Sequence, residues 1–218
     1  NAGQVWQMAL HAEENILYWT SHDKTISKAS LGDGVKQHVL TTNNRNSGLD
    51  IDPESNRLFY IKVINLNPGT NYSLVSRDLD SGAESVICSD DSPSSSLRYN
   101  FLQFSAADDA LYLGGFQGSL RVSDELNQDS SHIEYIGDDV NPEILGLGFD
   151  GCRGLVYYPK DGSIVGRYNI ASREFGTSGT MSNLRLVSAS AIPNTDTIYL
   201  IGYTLGADVS DPLVWGLY

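Results

Sequence analysis

A short apolar and aromatic run returns five times along the chain, each time bounded by glycine, asparagine, aspartate or serine. Such runs are typical of β-strands, and no window keeps an apolar stripe at helical spacing. The first residues of the runs are 41, 53, 44 and 43 positions apart, a mean of about 45, which is typical of four-stranded propeller blades. These runs, the anchors, are Leu17–Thr20, Leu58–Ile61, Leu111–Gly114, Leu155–Tyr158 and Ile198–Ile201.

An alternating apolar pair and a polar turn precede each anchor, which predicts a β-hairpin in every unit. A loop with glycine or aspartate then leads to a third strand, and a fourth strand follows in the first four units. After the fifth anchor the sequence leaves room for only one more strand. The apolar pairs are Met8 with Leu10, Leu49 with Ile51, Leu102 with Phe104, Leu147 with Phe149, and Ala189 or Ala191 with Ile192.

The repeat predicts one all-β domain over residues 1–218, a five-bladed β-propeller of four-stranded antiparallel blades with a three-stranded last blade. Packing blade on blade around an axis covers the two faces that a lone sheet would expose. Asp50, Gln103 and Gly148 are expected close to this axis. A β-sandwich is the alternative, but it does not require the same hairpin at a fixed period.

The first two units resemble the YWTD repeats of the low-density-lipoprotein-receptor type. Tyr18-Trp19-Thr20-Ser21 stands where that family has Tyr-Trp-Thr-Asp, and Ile26–Leu31 with Gly32-Asp33-Gly34 matches its third strand and turn. Gly48–Pro53 matches the inner strand of the next blade. The resemblance implies an extracellular propeller used for binding. The chain departs from the family at Ser21 and in having five repeats where the family normally has six.

The number of blades is also similar to that of the five-bladed tachylectin-type propeller lectins, which place one sugar pocket in each blade. This likeness is one of architecture and rests on no shared motif. It implies that related pockets recur between blades.

Charge narrows the range of partners. The formal charge is −13, which disfavours nucleic acid and anionic lipid, and no apolar run approaches the length of a membrane span. The sequence begins at Asn1 without a leader, so we expect a secreted protein from which a signal peptide has been removed. Asn71-Tyr72-Ser73 is a sequon for N-glycosylation.

The sequence gives little support for a catalytic or a metal-binding site. The four histidines have no metal-ligand spacing, and there is neither a Gly-x-Ser-x-Gly elbow nor a phosphate-binding glycine loop. Asp50 and Asp150 could form a carboxylate pair at the channel, but both precede turns, which favours a structural role. We therefore expect no enzyme, no cofactor and no metal. Cys88 and Cys152 fall in non-adjacent blades and are not expected to be joined.

Connections between one blade's outer strand and the next blade's inner strand are rich in asparagine and arginine. Their paired donors and acceptors suit vicinal hydroxyl groups, and an aromatic ring suits the face of a sugar. The tryptophans Trp6, Trp19 and Trp215 are assigned instead to blade packing. The candidate ligand-binding residues are Arg45, Asn46, Arg98, Tyr99, Asn100, Asn183 and Arg185 in the connections, with Phe116 and Tyr203 as ring platforms in neighbouring loops.

The sequence favours a secreted lectin-like protein that binds glycans or glycoproteins in several related pockets. A protein-binding YWTD-type module with one broad contact face is the first alternative. A glycoside hydrolase or lyase with its site at the central channel is the second.

Overall fold

A computed structural model describes residues 5–42, 46–66, 69–90, 99–106, 108–115, 120–124, 133–136, 146–161, 163–181, 184–192, 195, 197–204 and 213–217. Side chains are described for these except at residues 64–66, 69–71, 88–90, 99–100, 115, 120–124, 133–136, 161, 184–185, 187, 203–204 and 213–217.

The described residues form nineteen strands in five antiparallel sheets, each of which follows chain order from its inner to its outer strand. Blade 1 is β1 (Val5–His11), β2 (Ile16–Ser21), β3 (Thr25–Ser30) and β4 (Lys36–Thr41). Blade 2 is β5 (Asn46–Asp52), β6 (Arg57–Leu66), β7 (Gly69–Asp78) and β8 (Glu84–Asp90). Blade 3 is β9 (Tyr99–Ser105), β10 (Ala110–Gly115), β11 (Leu120–Asp124) and β12 (Ile133–Ile136).

Blade 4 is β13 (Gly148–Asp150), β14 (Leu155–Asp161), β15 (Ile164–Asn169) and β16 (Glu174–Thr180). Blade 5 has three strands, β17 (Leu184–Ala191), β18 (Ile198–Thr204) and β19 (Leu213–Leu217). The anchors are the second strands of the five blades. The predicted five-bladed β-propeller with a three-stranded last blade is therefore confirmed.

The hairpin turn between the first and second strands repeats its geometry in four blades. Its last residue has a positive φ in each, at Asn15 (55°), Asn56 (52°), Asp109 (54°) and Gly154 (61°). Asparagine, aspartate and glycine are the residues that adopt this left-handed conformation at least cost. The carbonyls of Asn15, Asn56 and Gly154 each accept a backbone N–H from the residue that follows the third strand of the same blade. Turn chemistry thus helps to fix the register of these blades.

An apolar layer lies between each pair of consecutive blades. Along the anchors, alternate side chains point to the preceding and to the following blade, because successive residues of a strand face opposite sides. Tyr18, Tyr60, Tyr112 and Tyr158 are all fully buried in these layers. Representative members are Ala9 and Leu49 between blades 1 and 2, Phe59 and Leu102 between blades 2 and 3, Ala110 and Val156 between blades 3 and 4, and Tyr157 and Leu200 between blades 4 and 5.

The tryptophan prediction holds only in part. Trp19 is buried, but it lies on the side of β2 that points away from blade 2, with the Lys36 ammonium over its ring, whereas Trp6 is half exposed. Trp6 was assigned to the core because a large aromatic ring is usually covered. It lies instead near the start of β1, beside a shift in the pairing with β2, where its side chain is open to solvent. The side chain of Trp215 lies outside the described residues.

The two cysteines lie in different blades. Cys152 is in the exposed turn between β13 and β14, and its thiol is free. Cys88 is in β8 of blade 2, and its side chain lies outside the described residues. The part of the chain that the structure describes contains no helix that could span a membrane.

Candidate functional site

The turn between the second and third strands and the connection to the next blade lie on one face of the propeller, the connection face. In blade 1 the connection is tied to the turn, because the backbone N–H of Thr42 donates to the carbonyl of Lys24 over 3.0 Å. The Thr42 hydroxyl donates to the same carbonyl over 3.2 Å. The topology of the other blades places their equivalent segments on this face as well.

Asn46 is the one predicted ligand residue whose side chain the structure describes. It is 1% exposed, and its amide nitrogen donates to the Thr42 hydroxyl oxygen over 2.9 Å. The amide therefore holds the connection against the start of β5. The composition of a connection predicts donors and acceptors, but it does not show which of them turn inward to satisfy the backbone.

The other eight candidates stay predictions. Tyr99 and Asn100 begin β9, Arg185 lies in β17 and Tyr203 lies in β18, all toward the connection face, but their side chains lie outside the described residues. Arg45, Arg98, Phe116 and Asn183 are themselves outside the described residues.

A long hairpin stands out on the connection face. Residues 62–71 are rich in Asn, Pro and Gly, a composition that favours a loop, but β6 and β7 remain paired as far as Leu66 and Gly69. When the blades are aligned by the pairing of their first and second strands, the last residues of β2 and β10 are equivalent to Lys62 of β6. The last residue of β14 is equivalent to Val63, one residue further on. The β6–β7 hairpin therefore reaches roughly 10–13 Å beyond the neighbouring second strands, at about 3.3 Å for each residue.

The root of this hairpin is anchored in the apolar layer between blades 2 and 3. Val63 pairs with Tyr72, and both pack against the layer that contains Leu113. Tyr72 is buried, so the hairpin leaves the blade as a firmly held ribbon. The sequon residue Asn71 pairs with Ile64 in this ribbon.

An aromatic pair that the sequence pattern did not predict lies on the same face. The rings of Trp6 and His22 stack with centroids 6.3 Å apart and planes 18° from parallel. Both side chains are exposed. Val5 pairs with Ser21 in the antiparallel ladder of β1 and β2, so Trp6 and His22 each lie one residue from this pair, on opposite sides of it. The stacking therefore depends on how the two long side chains turn toward each other, which the sequence pattern does not show.

Side chains from β1 and β5, the inner strands of blades 1 and 2, form hydrogen bonds with the backbone of β9, the inner strand of blade 3. The Gln7 amide nitrogen donates to the carbonyl of Leu102 over 2.6 Å. The backbone N–H of Phe104 donates to a carboxylate oxygen of Asp50 over 2.7 Å. These bonds flank Gln103, which occupies the same register in β9 as Asp50 in β5 and Gly148 in β13. All three residues lie on the innermost strands.

Asp150 does not join Asp50 at the channel. It is fully buried and forms an ion pair with Arg153 in the turn between β13 and β14, and the Arg153 backbone N–H also donates to it. In blade 2 the same register position is Asp52, which accepts the backbone N–H of Glu54. Asp150 is therefore a turn-stabilising residue, as the structural interpretation of the sequence predicted. Among the described residues no three His, Cys, Asp or Glu side chains come together as metal ligands.

The partly buried carboxyl of Asp50 gives a testable pH dependence. Burial raises the pKa of its carboxyl to about 7, although the Phe104 N–H opposes the shift. Between about pH 4 and pH 7 the folded chain then holds a proton that the unfolded chain releases, so this group's contribution to stability is lost as the pH rises through that window. Asp50→Asn removes the dependence. From pH 4 to pH 8 the free energy of unfolding of the variant should rise by about 2 kcal/mol relative to that of the parent. This is about half of the change that the full pKa shift implies, because the Asp50 side chain is only partly buried.

Urea unfolding at pH 2, 4, 6 and 8 measures this difference. Asp78→Asn is the control of opposite sign, because bonds from Ser81 hold the pKa of the Asp78 carboxyl below its usual value. That variant should lose stability relative to the parent as the pH rises from about 2 to 5. A parallel pH dependence for the parent chain and Asp50→Asn would contradict a protonated Asp50.

Comparison with known proteins supports the fold. No family model and no curated protein matches the chain. Among solved structures, it is similar to a chain in a crystal structure of a nidogen/laminin complex, with a TM-score of 0.71 and 14% identity over 97% of this chain and 79% of that chain. That structure contains a YWTD β-propeller. The chain thus has a β-propeller fold that resembles the YWTD type.

Proposed function

We propose that the chain is an extracellular protein-binding module, not an enzyme, and that the β6–β7 hairpin is the centre of its contact face. The observation that carries the proposal is the hairpin's reach beyond the neighbouring second strands from a buried root at Val63 and Tyr72. A paired ribbon presents its side chains at a lower cost in conformational entropy than a loop of the same length.

Two further observations support a protein partner. The similar solved chain comes from a complex of two proteins, nidogen and laminin. The formal charge of −13 favours a partner whose contact surface is basic, because long-range attraction speeds the encounter of oppositely charged surfaces.

The test compares three proteins on an immobilised panel of secreted proteins and on a glycan array. The first is the parent chain, and the second has residues 64–71 replaced by Asn-Gly, which joins Val63 to Tyr72 through a two-residue hairpin turn. The third carries Leu31→Ser and Val35→Ser, two exposed residues in the β3–β4 turn on the opposite face. The parent should bind a protein of the panel, the shortened hairpin should weaken that binding at least about tenfold, and the third protein should bind like the parent.

Equal melting temperatures for the parent and the shortened variant show that the blades remain intact. Binding that is unchanged by the shortened hairpin would place the interface elsewhere. Binding to the glycan array alone would favour the lectin hypothesis. In that case Arg98→Ala or Asn100→Ala should weaken one pocket by about 1–3 kcal/mol.

A further inference from the structure

On the faces that point away from their neighbours, β1 of blade 1 and β18 of blade 5 expose apolar side chains. On β1 the exposed side chains are Trp6, Met8 and Leu10, and on β18 they are Tyr199 and Ile201. These two faces together are called the seam. The side chains on the opposite side of the same strands, such as Ala9 and Leu200, are buried against blades 2 and 4.

The seam positions are the ones that neighbouring blades cover elsewhere. Met8 and Leu10 occupy the same register in blade 1 as Leu49 and Ile51 in blade 2. Leu49 and Ile51 are 0% and 5% exposed, whereas Met8 and Leu10 are 60% and 49% exposed. Blade 1 thus has apolar residues at the positions that a neighbouring blade covers in blade 2, but no described residues of another blade cover them.

Tyr199 and Ile201 show the same contrast at the other end. They alternate along β18 with the buried Ile198 and Leu200, as Phe59 and Ile61 alternate along β6 with Leu58 and Tyr60. Phe59 and Ile61 are fully buried against blade 3, whereas Tyr199 and Ile201 are 46% and 38% exposed. This face of blade 5 therefore carries the kind of side chains that a following blade covers in blade 2.

We propose that the seam holds a sixth blade, a β-sheet that is apolar on both faces and belongs to the same polypeptide outside these 218 residues. One sheet can cover both seam faces at once, as blades 2, 3 and 4 each cover two neighbours. A second copy of the chain would bring its own two uncovered faces, so that docking one seam face of each copy leaves the others in water.

The length of the similar solved chain indicates a source in the same polypeptide. This chain covers 79% of that chain, which leaves about a fifth without a counterpart. A blade of about 45 residues would account for most of that remainder. Blade 5 also has three strands where the other four blades have four, so the same additional segment would complete it.

The test measures thiol labelling at the seam in two polypeptides, these 218 residues and the longest product that the gene encodes. Met8→Cys and Tyr199→Cys are the reporters. Leu31→Cys, at an equally exposed apolar residue away from the seam, is the matched control, and the exposed thiol of Cys152 is an internal standard. Peptide mapping by mass spectrometry separates the maleimide labelling rates at the different sites.

In the 218-residue chain the reporters should react as fast as the control. In the longer product they should react at least about 100-fold more slowly, while Leu31→Cys and Cys152 keep their rates. As a second measurement, Met8→Lys should leave the melting temperature of the 218-residue chain unchanged and lower that of the longer product by about 5 °C.

Several results would overturn the proposal. Equal reporter rates in the two polypeptides would show an uncovered seam. Slow labelling of the 218-residue monomer would show that blades 1 and 5 close on each other, and slow labelling that is lost on dilution would indicate a second copy. A gene product with no further segment of a blade's length would exclude the proposed source.

Discussion

Replacing Phe59 by alanine is expected to lower the free energy of unfolding by about 3–5 kcal/mol. Phe59 has no exposed surface and faces blade 3 from the middle of β6. Its ring stacks on that of Phe104 with centroids 5.5 Å apart, so its removal leaves a cavity between two blades that cannot collapse without moving a whole sheet. Urea unfolding followed by tryptophan fluorescence measures the loss.

Phe175→Ala is the matched control for Phe59→Ala. Phe175 lies in the outer strand β16, is 38% exposed and packs on Tyr168 with ring centroids 5.0 Å apart. The same deletion there should cost less than about 1 kcal/mol, because the lost surface was largely in water and no cavity forms. Equal losses for the two variants would contradict the packing of blade 2 on blade 3.

Gly148→Ala should cost about 3 kcal/mol, which is large for the addition of one methyl group. A Cβ at this position would lie 2.7 Å from the backbone nitrogen of Ala191 and 3.0 Å from the Cα of Ser190. These are backbone atoms of β17, so no side-chain rotation relieves the contact, and blades 4 and 5 must move apart at their inner strands. Differential scanning calorimetry measures the effect as a lower melting temperature.

Gly151, three residues further on, provides the control for Gly148→Ala. A Cβ at Gly151 meets no atom within 4 Å. Gly151→Ala should therefore change the free energy of unfolding by less than about 0.5 kcal/mol. A similar small effect at Gly148 would show that β13 and β17 are further apart than the structure places them.

Much of the fold could be predicted from the sequence, because each blade repeats its local signals. The anchors supply apolar strands at a nearly constant period, and the turn formers before them mark the hairpins. The third strand predicted from Ile26 to Leu31 spans Thr25–Ser30. Strand patterning and turn chemistry act over a few residues, which is why they are visible in a single sequence.

What the sequence did not reveal depends on contacts between distant segments. Alternation shows that Met8 and Leu10 share a face of β1, but not whether a blade covers that face. The β6–β7 hairpin extends by cross-strand pairing through a segment rich in Asn, Pro and Gly, whose composition favours a loop. Asn46 turns its amide inward to Thr42, and residue type alone does not distinguish that bond from a bond to a ligand.

The layered arrangement of the blades also affects how the chain opens. Blades 2, 3 and 4 are each held by two apolar layers, whereas blades 1 and 5 are each held by one. With the seam uncovered, the molecule is in energetic terms a linear array whose stability is a sum of nearest-neighbour terms. Fraying then begins at the terminal blades and reaches blade 3 last. A sheet in the seam would remove both free ends, and the array would become a cooperative unit with no preferred place to start unfolding.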